Sequence, residues 1–150
     1  LIPSISASSG VFEMNVLTLN AGALKLKDLY TVYLDAASVI ISGSSRPSVE
    51  AATEQILKAA EGEHPIYGVN TGFGKLASLK IEPEDIATLQ RNLILSHCCG
   101  VGERISNTMA RFILSLKLIS LGRGASGVRW DILELIQNML LKGVTPVIPA

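Results

Sequence analysis

Residues 81–97 read IEPEDIATLQRNLILSH, and this stretch sets the fold class. Pro83 suits a first helical turn, where its missing N–H costs nothing. Glu82, Glu84 and Asp85 put acidic groups at a helix N-terminus, which the helix dipole favours. Ile86, Leu89, Leu93 and His97 then fall at i, i+3, i+7 and i+11, along one helical face. The spacing predicts a long helix running to about Cys99, with His97 continuing its apolar stripe and shielded from solvent.

The same period recurs outward from there. Ser106 is expected to cap a second helix whose apolar face is Met109, Phe112, Ile113, Leu116 and Ile119. Gly122, Gly124 and Gly127 interrupt it. Asp131–Leu141 is again helical, Gly143 ends it, and Pro146 and Pro149 forbid continuation. Upstream, Ser45 is expected to cap a helix that holds Pro47 in its first turn and runs to about Glu61. Its apolar face is Val49, Ala52, Ile56, Leu57 and Ala60. Leu26, Leu29, Tyr30 and Tyr33 lie at helical spacing within Leu24–Tyr33. Strand-like patterns are confined to Asn15–Asn20 and Val39–Ile41, and residues 62–77 are irregular and Gly-rich. The fold class is therefore mainly α, with short strands near the N-terminus.

Composition narrows the function. The 150 residues suit one ordinary domain, and 48% are hydrophobic against 17% charged. That apolar balance leaves surface to meet a partner or more chain. Thirteen basic residues balance thirteen acidic ones, with no polybasic patch, so neither nucleic acid nor an acidic membrane is expected as partner. The longest apolar run, Phe112–Leu121, is cut by Ser115, Lys117 and Ser120, short of the roughly 18–20 residues of a membrane span. Residues 1–13 are Ser-rich, without the basic and long apolar regions of a secretory signal. They are expected to be a disordered leader or added remnant before the protein-like stretch from Met14. Cys98 and Cys99 are adjacent, which suits neither an ordinary disulfide nor a zinc pattern. They are expected to be small buried hydrophobes in a reducing cytoplasm.

The chemistry concentrates in two places. Residues 67–74 read YGVNTGFG. This is no phosphate loop: five residues separate Gly68 from Gly74-Lys75, and Leu76 follows where Ser or Thr is needed. The dinucleotide pattern fails too, since no strong strand precedes it. No nucleotide is expected. Tyr67 reads two ways, as a packed loop residue or as a base whose pKa its surroundings lower. His97 also reads two ways, as a core residue or a functional one. His64, beside Pro65, has no patterned partner and reads as surface.

Three segments together resemble the aromatic amino acid ammonia-lyases. They are Tyr67–Gly74, Leu89–His97 and Arg123–Arg129, in the family's order and at similar separations. The resemblance covers about Met14–Ala150 and implies the N-terminal part of that helical fold. It also implies an elimination of ammonia that uses a self-made electrophile, 4-methylidene-imidazol-5-one (MIO), cyclised from Ala-Ser-Gly. Tyr67 inherits the role of catalytic base, taking the substrate's β-proton. Ser96-His97 matches the pair typical of the family's histidine-specific members and is expected at the substrate with Gly68 and Asn70. Buried ring nitrogens of an imidazole need such polar neighbours. The resemblance further implies a homotetramer and no metal.

Ala125-Ser126-Gly127 has the cyclising tripeptide's letters in the wrong context. It follows Leu121-Gly122-Arg123-Gly124 and precedes Val128-Arg129-Trp130, matching a separate helical segment of the family. Small residues there imply close helix packing. Pro146–Ala150 instead resembles the segment just before the cyclising motif, so the Ala-Ser-Gly is expected beyond Ala150 and these residues alone are expected to be inactive. The same motifs occur in tyrosine and phenylalanine lyases and in aminomutases, and a non-catalytic helical assembly module is the reading from a different class. Ser126 is expected to stay unmodified: a peptide across residues 125–127 should carry its full mass, and loss of the water released on cyclisation would reverse the assignment.

Overall fold

The computed structural model describes residues 15–34 and 38–150, with Leu76 by its backbone only. The leader expected over residues 1–13 lies outside the described residues. The two strand-like stretches form β1 (Val16–Leu19) and β2 (Ser38–Ile41), paired in parallel with Val16 opposite Ser38 and Leu19 opposite Ile41. Parallel pairing needs a crossover, and α1 (Leu26–Leu34) provides it. Asp28 anchors the start of α1, its carboxylate accepting Lys25 N–H at 2.9 Å.

Four more helices follow: α2 (Arg46–Glu61), α3 (Pro83–His97), α4 (Asn107–Leu121) and α5 (Trp130–Leu141). α4 and α5 pack on each other and on β2, while α1 lies on α4. Val32, Val39, Leu118 and Leu133 are fully shielded where these elements meet. Each such burial is worth about 1.5–3 kcal/mol. The outer edge of β2 is closed by α5. Gln137 Oε1 accepts Ile41 N–H at 2.7 Å, and Ser38 Oγ donates to Leu140 O at 3.2 Å. Arg111 donates to Val32 O at 2.9 Å, and burial lowers its pKa from the ordinary arginine value.

The helices fall where the periodicity puts them, and Ser106 caps α4 by accepting Met109 N–H at 3.2 Å. Several faces and ends differ from expectation. Ser45 makes no side-chain cap: it sits in a 3-10 turn with helical backbone angles, so its hydroxyl does not reach the next turn. On α4 the buried positions are Ala110, Ser115, Leu118, Ile119 and Leu121, whereas Met109, Ile113 and Leu116 are exposed. On α2, Val49 is buried, but Ile56 and Leu57 are exposed. α3 ends at His97, and His97, Cys98 and Cys99 are all exposed. The α3 stripe is half-buried only from Ile86 to Leu93.

The segment between α4 and α5 explains the small residues around Ser126. A Cβ on Gly122 would lie 3.0 Å from Ile41, and one on Gly127 would lie 2.3 Å from Ile56. Thr53 Oγ1 donates to Val128 O at 2.7 Å, fixing the same segment to α2. Gly124 is the tightest against backbone: φ is +71°, and an added Cβ would meet the Ser48 carbonyl carbon at 2.7 Å. Gly143 shares the left-handed conformation, with φ +66°, but has open space around it. Gly124→Ala should therefore destabilise the protein by about 2–4 kcal/mol and Gly143→Ala by only about 1 kcal/mol. Urea midpoints compare the two, and equal losses would mean that the Ser48 contact carries no weight.

Candidate active site

The irregular segment after α2 is held from inside by one side chain. Asn70 is fully buried. Its Oδ1 accepts Ile66 N–H at 2.7 Å, and its Nδ2 donates to His64 O at 3.0 Å and Ala59 O at 3.4 Å. Its backbone N–H donates to Ile66 O at 3.2 Å, and its carbonyl accepts Ile81 N–H at 2.9 Å. Thr71 pairs antiparallel with Lys80, closing the base of the loop. Tyr67 and Gly68 are thereby left at a tip between two pinned residues. Gly68 has φ +76° with open space beside it, a conformation that L side chains resist.

Tyr67 is 66% exposed. Its ring meets Phe73 edge-on, with centroids 5.8 Å apart and planes at 73°. Such a pair is worth about 0.5–1.5 kcal/mol beyond burial and fixes a ring without engaging its hydroxyl. Phe73 also lines an open cleft of about 300 Å³ with Leu89, Asn92, Leu93 and Ser96 of α3. Phe73 thus links the Tyr67 tip to the C-terminal half of α3. The sequence reading did not single it out, although it stands inside the quoted YGVNTGFG stretch.

Ser96 and His97 form one polar unit at the end of α3. Ser96 Oγ donates to Leu93 O at 3.0 Å and lies 3.0 Å from His97 Nδ1, which is itself 2.9 Å from Leu93 O. A carbonyl only accepts, so in the neutral ring the proton is assigned to Nδ1. Nε2 is then left as an acceptor.

The end of the chain comes to the same region. Ile105 N–H donates to Ile148 O at 2.9 Å, and Ala150 N–H donates to Glu103 O at 2.7 Å. Arg104 and Pro149 pair antiparallel. A Cβ on Gly100 would lie 2.5 Å from the Pro149 ring, and one on Gly102 would lie 3.1 Å from Ala150 O. The turn after α3 is thus a cradle that only glycines leave open. No local pattern in the sequence announces this contact.

Of the expected site residues, Tyr67, Gly68, Ser96 and His97 are exposed around this region. Ser96 lines the cleft, and His97 turns around the helix onto the Leu93 carbonyl. Asn70 faces inward, with its amide engaged by the loop. Among the described residues, no group of three His, Cys, Asp or Glu side chains is placed to hold a metal.

The chain belongs to the aromatic amino acid lyase family, matched over residues 24–150. It is 54% identical over 134 residues to histidine ammonia-lyase of Roseobacter denitrificans, covering 89% of this chain and 26% of that protein. Its fold is similar to the crystal structure of histidine ammonia-lyase from Trypanosoma cruzi, with a TM-score of 0.76, 34% identity, and coverage of 91% of this chain and 26% of that one. Tyrosine aminomutase from Streptomyces globisporus gives a TM-score of 0.80 at 32% identity, with 89% and 25% covered. The chain thus spans about a quarter of the length of the proteins it matches.

Proposed function

We propose that the chain forms the N-terminal part of a histidine ammonia-lyase, which eliminates ammonia from L-histidine to give trans-urocanate, the opening of histidine breakdown. One observation carries this reading: Ser96, within 3.0 Å of His97 Nδ1, stands at one wall of a cleft whose other wall, Phe73, holds the Tyr67 ring. The 54% identity to the Roseobacter denitrificans enzyme supports it.

Each residue has a distinct part. Tyr67, at an exposed tip, takes the β-proton. His97 Nε2 accepts the N–H of the substrate imidazole, and Ser96 lends a second polar group beside it. Gly68, without a side chain, lets the substrate approach the loop backbone. Loss of the β-proton and of the amine leaves a carbon–carbon double bond conjugated with the imidazole and the carboxylate.

The family's MIO group fits this placement. The Pro146–Ala150 segment, which resembles the run just before the cyclising Ala-Ser-Gly, lies in the Gly100–Gly102 cradle at the end of α3. This anchoring of residues 148–150 beside the end of α3 supports a site for the group near Ser96-His97. When present, it supplies an electrophile that makes the amino group a leaving group. Its formation, and activity itself, require chain beyond these 150 residues. A cytoplasmic setting goes with this reading, and among the described residues no helix is long and apolar enough to cross a membrane. Assembly into a homotetramer is supported by exposed apolar residues such as Leu26, Tyr30 and Val101.

An aminomutase is the second reading, favoured by the fold similarity to tyrosine aminomutase. Product analysis separates the two, since a mutase returns the ammonia to the neighbouring carbon. Tyr67→Phe in the full-length protein should keep the fold and lower kcat by about 10²–10⁴-fold, and turnover near wild type would remove Tyr67 from the mechanism. Replacing Ser96-His97 by Phe-Leu should lower kcat/KM for histidine at least roughly tenfold and raise it for phenylalanine, since an unpaired buried polar group costs about 1–3 kcal/mol. An unchanged preference would leave the pair with a packing role only.

A further inference from the structure

We propose that Asn70 is a positioning residue that sets where Tyr67 stands, acting through the loop and not on the substrate. The proposal rests on the reading of Tyr67 as the proton acceptor. Tyr67 sits between Ile66 and Asn70, and the Asn70 amide binds the chain on the near side of that tip at three points: Ile66 N–H, His64 O and Ala59 O. The last of these belongs to the final turn of α2. One side chain therefore ties the tip to the end of a core helix. The Asn70 backbone ties it onward to Ile81, two residues before α3 begins. The distance between the Tyr67 tip and the α3 wall of the cleft is set through this node.

The chemistry at the node calls for a carboxamide. Ile66 N–H needs an acceptor, while His64 O and Ala59 O need donors. Aspartate supplies the acceptor but, when ionised, faces two carbonyl oxygens with negative charge. Protonation restores one donor. Burial and the two facing oxygens both disfavour the ionised form, so that carboxyl titrates above the usual range. The Asn70→Asp defect should therefore shrink as pH falls through the raised value.

The test uses the full-length protein with Asn70→Asp and Asn70→Leu, read by steady-state kinetics at several pH values and by hydrogen exchange. At neutral pH, Asn70→Asp should lower kcat by about 10–100-fold, the effect of a small misplacement of a reacting group. KM should stay within a few-fold, because Asn70 does not touch the substrate. The ratio of variant to wild-type kcat should rise at lower pH for Asn70→Asp and stay flat for Asn70→Leu. The Ile66 and Val69 amides should exchange faster in both variants. A raised KM with unchanged kcat would overturn the proposal, as would unchanged exchange at Ile66. If Asn70→Asp does not fold, Asn70→Ser, which keeps a neutral polar group too short to span the three contacts, gives the same kcat-against-KM reading. Failure of the functional reading is separable: full turnover by Tyr67→Phe would remove the catalytic consequence, while faster exchange at Ile66 would still establish Asn70 as the clamp of the loop.

Discussion

A parallel pair of four-residue strands cannot stand alone, and the rest of this structure is arranged around that fact. β1 satisfies one edge of β2, but the other edge is buried, where an unpaired N–H costs about 1–3 kcal/mol. Gln137 on α5 meets the Ile41 N–H at 2.7 Å. α5 is therefore fixed in rotation as well as in place, and with it the line of Leu133, Ile136 and Leu140 that fills the space below. α4 packs on both α5 and α1, with Leu118, Ile119 and Leu121 in the shared core. The glycines at 122, 124 and 127 then carry the chain over Ile41, Ser48 and Ile56 without opening that core.

The candidate site lies on another part of the chain, which is built differently. α3 buries none of its residues, and Ile94, Leu95 and Val101 stand exposed. A helix of this length is marginal in water without a surface to lie on. Its order here comes from its two ends. The Asn70–Ile81 connection leads into its N-terminus, and the Gly100–Gly102 cradle with residues 148–150 follows its C-terminus. Both anchors are hydrogen-bonded loops, not packed core. Such a region moves more readily than the core it hangs from, a useful property where a substrate must enter and leave.

The sequence carried the helices because their apolar residues recur at a period that no other element shares. Ser106 was legible as a cap, having an extended backbone before a helix; Ser45 has the same letter but lies inside a 3-10 turn. The buried side of α4 was not legible, because apolar residues lie all round the helix and hydrophobicity ranks Met109 and Ile113 above the buried Ala110 and Ser115. The α3 stripe points to an interior for His97, and the chemistry of adjacent thiols to one for Cys98 and Cys99, whereas burial along the helix stops at Leu93. In the site, the Tyr67 loop and Ser96-His97 were visible as motifs. The inward turn of Asn70 was not, since its amide could serve a loop or a ligand equally well. The cradle for Pro149 joins residues nearly fifty positions apart, and no local pattern signals such a contact.

The tautomer assigned to His97 sharpens what substrate selection at this helix end can mean. Leu93 O holds the Nδ1 proton, so the neutral ring offers a single acceptor at Nε2. On the proposed reading, a phenyl ring leaves that acceptor unpaired, and phenylalanine is disfavoured by hydrogen bonding alone. A phenol has a proton to give, so counting hydrogen bonds does not separate tyrosine from histidine. Reach does. The imidazole N–H is part of the ring, whereas the phenol proton lies one bond beyond a larger ring. An acceptor held to a helix carbonyl, with Ser96 also within 3.0 Å of Nδ1, cannot retreat to meet both. On the same proposed reading, discrimination between histidine and tyrosine is set by how far Nε2 stands from the Tyr67 tip, which belongs to the loop that Asn70 pins.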